Sequence, residues 1–182
     1  MRLMAIAALA AVLALGVAPA SAASCKLTSA DRQVLNATIK DFSTALRLGD
    51  YERIQRVIPR RIIRKMAADA GATPAAVINE LARVMARGMQ RIEVEAFNME
   101  TKNLTCDIAG GAMKYVQVPT EMIVNVQGVG RHSMTSHTLA LLEGETWYLL
   151  RVSEPQELLT LTDLYPELAA VEFPPAKMTR LQ

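Results

Sequence analysis

Two histidines, His132 and His137, stand in a run of alternating apolar and polar residues near the middle of the second half of the chain. Five positions apart on a strand, they point to opposite faces, so they cannot share one metal ion without a bulge. No Cys or His cluster lies beside them, and no metal site is expected. His137 and Tyr148 could do acid–base chemistry if the two side chains converged within hydrogen-bond reach. A Ser–His–acid set, a P-loop, a CxxC and a dinucleotide fingerprint are all missing. Methionine is abundant, with 10 residues. Only Met85 and Met89 share helical spacing, and no Met motif repeats, so core filling and an adaptable pocket wall explain them better than Cu(I). No cofactor is expected. Aromatic residues make up 4% of the chain, too few for the stacking platforms of a sugar-binding cleft.

Arg83, Arg87 and Arg91 form an i, i+4, i+8 ridge, with Arg60, Arg61, Arg64 and Lys65 on the preceding helical segment. A basic surface for anionic lipid or an acidic partner is one reading, and a solvated helix face is the plainer one. The two cysteines, Cys25 and Cys106, read as a disulfide in an oxidising compartment. Two unpaired thiols remain the alternative, because sequence does not give their separation.

The start of the chain resembles export machinery. Arg2 precedes an uncharged apolar run, Pro19 breaks it, and Ala20-Ser21-Ala22 supplies the small residues of a cleavage site. Residues 1–22 are therefore expected to be a signal peptide, residues 23–182 a single domain, and the location periplasmic or secreted. The run is too short to span a bilayer, so no integral membrane anchor is expected after cleavage. Cys25 follows small residues as in a lipoprotein signal, but Ala22 stands where that signal wants Leu. Arg2 is the leader's one charge, so its removal takes the net charge from +2 to +1. Such a balance argues against nucleic acid as a partner.

Helical patterning fills the first half. Thr28 and Asp31 make a capping box, Leu35, Ile39, Phe42 and Leu46 form an apolar stripe, and Gly49 stops the helix. Asp50 caps a second helix carrying Ile54, and Pro59 begins a segment with Ile62, Ile63 and Met66. Thr73-Pro74 opens another, with Val77, Ile78, Leu81, Val84, Met85 and Met89 as its buried stripe. Strands are expected where Ile92, Val94 and Ala96 alternate with glutamates, at 104–108, at 116–126, at 131–143 and at 146–152. Pro155 opens a short helix to Leu164, and residues 169–182 read as an extended tail. Helices first and strands after imply an α+β layer: N-terminal helices packed on a bent antiparallel sheet.

Hairpin registers assign the faces. With Val126 opposite Arg131 and Glu143 opposite Thr146, one face collects Val116, Val118, Met122, Val124, Leu139, Leu141, Tyr148, Leu150 and Val152. Thr120, Thr135 and His137 share that face, which is the one to cover with helices. The reverse face then exposes Leu142, Trp147 and Leu149 beside Ala140. A homodimer through these residues is expected, with burial under the tail through Val171 and Phe173 as the alternative. A slip of one residue would invert the whole assignment.

Leu48-Gly49-Asp50-Tyr51 between the first helices, the Trp147–Arg151 strand, Leu164-Tyr165-Pro166 and the late Pro174-Pro175 resemble exported bacterial members of the NTF2-like (SnoaL-like, cystatin-like cone) superfamily. The likeness spans nearly all of residues 23–182, and its motifs are loose. It implies a cone with an apolar pocket between helices and sheet, a frame that serves isomerases, dehydratases, small-molecule binders and protein-binding modules. Isomerases of this type need a carboxylate base inside the cone, and the inferred face offers none. The expected function is therefore non-covalent binding of a small hydrophobic molecule, with Thr38, Phe42, Thr120, Met122, His137 and Tyr148 as ligand-binding residues. The alternatives are an isomerase or hydrolase using His137 and Tyr148, and an envelope interaction module acting through Trp147.

Overall fold

The computed structural model describes residues 23–152 and 155–182; the expected signal peptide lies outside them. Strand β1 (Ala23–Cys25) leads into α1 (Ser29–Leu48), α2 (Tyr51–Gln55), α3 (Arg60–Asp69) and α4 (Pro74–Met89). Strands β2 (Ile92–Met99), β3 (Cys106–Ala109), β4 (Met113–Val126), β5 (Gly130–Glu143) and β6 (Thr146–Arg151) follow, then α5 (Pro155–Leu164), a 3₁₀ turn (Pro166–Ala170) and β7 (Lys177–Arg180). The described residues form an α+β fold, with helices on the N-terminal side and an open antiparallel sheet of seven strands.

Local chemistry sets the helix ends. In the capping box, the Thr28 hydroxyl accepts from the Asp31 N–H at 3.0 Å and Asp31 accepts from the Thr28 N–H at 3.1 Å. Gly49 closes α1 in the left-handed conformation, φ 67°, and its N–H donates to the last turn. Asp50 and Thr73 cap α2 and α4 as their sequence predicts. Burial raises the Asp31 carboxyl pKa, but the Thr28 hydrogen bonds and Lys114 outweigh it and hold the group below its ordinary value.

Two 14-residue strands, β4 and β5, form the spine. β2 and β3 lie end to end along the free edge of β4, and β6 and β7 do the same along β5. β7 is a strand where an extended tail was expected; four residues are too few to show a period. In β2 a bulge at Glu95 shifts the register between Val94 and Ala96. It turns Ala96 outward, against the alternation read from sequence, and brings Phe97 and Met99 in. On α4, Val84 is likewise exposed rather than part of a buried stripe.

The β4–β5 register corrects the face assignment. Val126 pairs with Gly130, not with Arg131. The Val129 N–H donates to the Val126 carbonyl at 2.9 Å, and Gly128 occupies the third position of that turn with φ 81°. Glycine serves there because the position demands positive φ. The loop is thus one residue shorter than expected, and every β5 and β6 side chain changes sides. Ala140, Leu142, Trp147 and Leu149 face the helices, packed with Leu35, Ile39, Val116 and Val118. Trp147 is 1% exposed, so Leu142, Trp147 and Leu149 offer no bare sheet back for a homodimer. Tyr115, Leu139, Leu141 and Val152 occupy the other face, beneath Leu161, Tyr165, Leu168 and Val171 of the C-terminal segment.

Specific bonds fasten these layers. The Leu149 N–H donates to the Val57 carbonyl at 2.8 Å, capping the outer edge of β6. Arg53 binds Asp41, tying α2 to α1. Arg61 lies 4.5 Å from the Tyr165 ring centre and donates to the Leu164 carbonyl at 2.8 Å. The Tyr165 hydroxyl donates to Glu143 at 2.5 Å; burial, then this bond, pushes its pKa far up. No described helix is long and apolar enough to cross a membrane.

Cys25 and Cys106 form the expected disulfide, across paired positions of β1 and β3 with Cα atoms 5.0 Å apart. It closes a loop over 81 positions that includes all of α1–α4. Replacing both cysteines by serine is expected to lower unfolding free energy by about 2–5 kcal/mol, measured by urea denaturation. Gly110, at φ 55°, carries a different constraint: a Cβ there would lie 2.8 Å from the Glu167 Cβ. Gly110→Ala should cost about 1–3 kcal/mol. Gly111→Ala, with φ 76° but open space around it, should cost less, and thermal melts of the two variants measure the difference.

Candidate functional site

A cavity of about 740 Å³ lies between the sheet and the helices, in the half of the molecule nearest the β4–β5 turn. Its floor is the helix-side face of β2, β4 and β5, where successive inward positions carry Thr120, Met122, Val124 and Val126 on one strand and His132, Met134, Ser136 and Thr138 on the next. Phe42 and Leu46 of α1, and Met85 and Met89 of α4, form the roof. Val129 at the turn and Met178 of β7 complete a rim, 55% and 63% exposed.

The bulge in β2 matters to this geometry. Ile92 and Val94 face the cavity before it and Phe97 after it, which an unbroken period of two would not allow. Phe97 then meets Phe42 edge-on, with ring centres 5.6 Å apart.

Polar groups on the wall are few. Thr120 and Thr138, 7% and 6% exposed, share a hydrogen bond of 2.8 Å, and Thr120 also donates to the Val118 carbonyl at 3.0 Å. The two hydroxyls thus satisfy each other inside an apolar wall. His132 Nδ1 lies 3.0 Å from the Gly130 carbonyl. Arg151 is the one charged residue among the described lining residues, which include no Asp, Glu, Cys or Tyr. Among the described residues no group of three His, Cys, Asp or Glu is placed to hold a metal ion.

Three of the six expected ligand residues, Phe42, Thr120 and Met122, line this cavity. Thr38 does not; it is half-buried on α1, and its hydroxyl donates to the Val34 carbonyl at 3.0 Å. His137 and Tyr148 are turned to the opposite face by the corrected register, His137 opposite Pro119 and Tyr148 opposite Leu141. Tyr148 is buried there, and His137 Nδ1 is buried without a hydrogen-bond partner. An acid–base pair at these positions has no access to the cavity.

Sequence reasoning missed Met134, Ser136, Thr138 and His132 as wall residues. A register one residue shorter would have found all four, since they alternate on one strand. Met85 and Met89 carried a usable signal in their i, i+4 spacing. Comparison with family models, with curated proteins and with solved structures gives no match for this chain.

Space already open at Met122 sets an expectation for overfilling. Met122→Trp should shift the urea midpoint little, because the ring can occupy the cavity. Val118→Trp, on the same strand but 0% exposed in the packed cluster, should destabilise by about 1–3 kcal/mol or more. Paired denaturation curves of the two variants measure the contrast.

Proposed function

We propose that this chain is an NTF2-like protein of an oxidising extracytoplasmic compartment, and that its cavity holds a small hydrophobic molecule without a covalent bond. One observation carries the reading: about 740 Å³ of space walled by aliphatic, methionine and phenylalanine side chains, with no carboxylate among the described lining residues. That volume falls in the range of small-molecule pockets, and a few convergent polar groups on an apolar wall are the usual pattern. A wall without a carboxylate base suits retention better than the proton transfer of the isomerases. Helices over an open antiparallel sheet suit the superfamily, and the Cys25–Cys106 bond suits an oxidising compartment.

Native mass spectrometry of protein isolated from its own cell envelope should show a copurifying apolar molecule. A neutral fluorescent probe such as N-phenyl-1-naphthylamine should brighten on the delipidated protein, and Met134→Trp should abolish the signal while leaving the far-UV spectrum intact. Absence of both the copurifying mass and the probe signal would count against a binding cavity.

A further inference from the structure

Resting on that binding reading, we infer that the ligand is an aliphatic chain ending in a carboxylate, with its head at Arg151 and its tail along the β4–β5 floor. Three observations lead there.

The first is length. Wall positions run from Thr120 to Val126 on β4 and from Thr138 to His132 on β5. Six residue steps of antiparallel strand cover about 20 Å, comparable to an extended long acyl chain. The second is the nature of the wall. Met85, Met89, Met122, Met134 and Met178 contribute from four separate elements. Unbranched, polarisable thioethers repack around a flexible chain. A flat aromatic ligand would want stacking faces, yet Phe42 and Phe97 are engaged edge-on with each other.

The third is where the polar groups gather. Ser136 is the cross-strand partner of Thr120, and Arg151 is the partner of Thr138. All four side chains project from one patch where β4, β5 and β6 run side by side. The Thr120–Thr138 pair is already hydrogen-bonded, which leaves the Ser136 hydroxyl and the Arg151 guanidinium as donors. Arg151 makes no salt bridge among the described residues. It stands at the break in the sheet edge, where β6 ends opposite Thr138 and β7 begins opposite Thr135. A guanidinium fork at such a gap matches one carboxylate in bidentate fashion. One cation on the wall balances the single charge of a carboxylate better than the higher charge of a phosphate monoester.

The test is displacement of N-phenyl-1-naphthylamine from the delipidated protein, below micellar concentrations, by hexadecanoate, hexadecanol and hexadecyl phosphate. Wild type is expected to prefer hexadecanoate to hexadecanol by about tenfold, the worth of one charge-assisted contact. Arg151→Gln should bring that ratio close to one, with the melting temperature checked alongside. Equal displacement by acid and alcohol in wild type would overturn the inference while leaving an apolar cavity in place. A stronger effect of hexadecyl phosphate than of hexadecanoate would overturn the carboxylate assignment. A probe that never binds would instead defeat the binding reading itself.

Discussion

Pairing of Val126 with Gly130 governs what each face of the sheet contains. The two long strands share 12 consecutive paired positions from Val126–Gly130 to Tyr115–Leu141 without a register shift, so the turn geometry propagates along the whole spine. β6 inherits its orientation through Leu142–Trp147 and Leu149–Ala140, and β7 through Met134–Met178. A strand has only two sides, so this one register buries Trp147 under α1 and sends Tyr148 to the C-terminal segment. It also gathers Met122, Met134, Ser136 and Thr138 around one space.

Along that spine the sheet divides into two regions of different character. Where β4 and β5 meet β3 and β6, both faces are covered: α1 contributes Leu35 and Ile39 on one, and Tyr165 and Leu168 close the other. The Cys25–Cys106 bond and the Leu149–Val57 hydrogen bond lie in this region too. Towards the turn, the same strands have a cavity on one face, and Glu121, Thr135 and Arg131 stand exposed on the other. The buried Thr120–Thr138 pair stands at the junction, its hydroxyls joined because no water-facing alternative exists there.

Much of this was legible in the residues. Thr28, Gly49, Asp50 and Thr73-Pro74 act locally, through their own backbone neighbours, and their helix boundaries fall where the sequence places them. Alternation over long strands was equally plain, and so were the cysteine pair and the α+β order. What failed was a single count in a glycine-bearing turn. Gln127-Gly128-Val129-Gly130 admits loops of three or four residues, and hydrophobicity could not arbitrate, because both faces of β5 and β6 are apolar where both are covered. Leu139 and Leu141 look as suited to the helices as Ala140 and Leu142 do. The bulge at Glu95 was hidden for a similar reason: one extra residue leaves no compositional trace. Three of the six expected ligand residues, Phe42, Thr120 and Met122, therefore stand on the wall, and His132, Met134, Ser136 and Thr138 join it only through the corrected register.

Separation of the tightly packed region from the cavity bears on how such a protein can diversify. Met85, Met89, Met122 and Met134 belong to none of the buried clusters that unite helices, sheet and C-terminal segment. Substitutions among them alter the shape of the space with little loss of the contacts that hold the chain together. Lineages can therefore explore new wall compositions while remaining above their folding threshold. Sequence identity would then erode fastest on the floor and roof of the cavity, and slowest around Trp147, Leu139 and Tyr165.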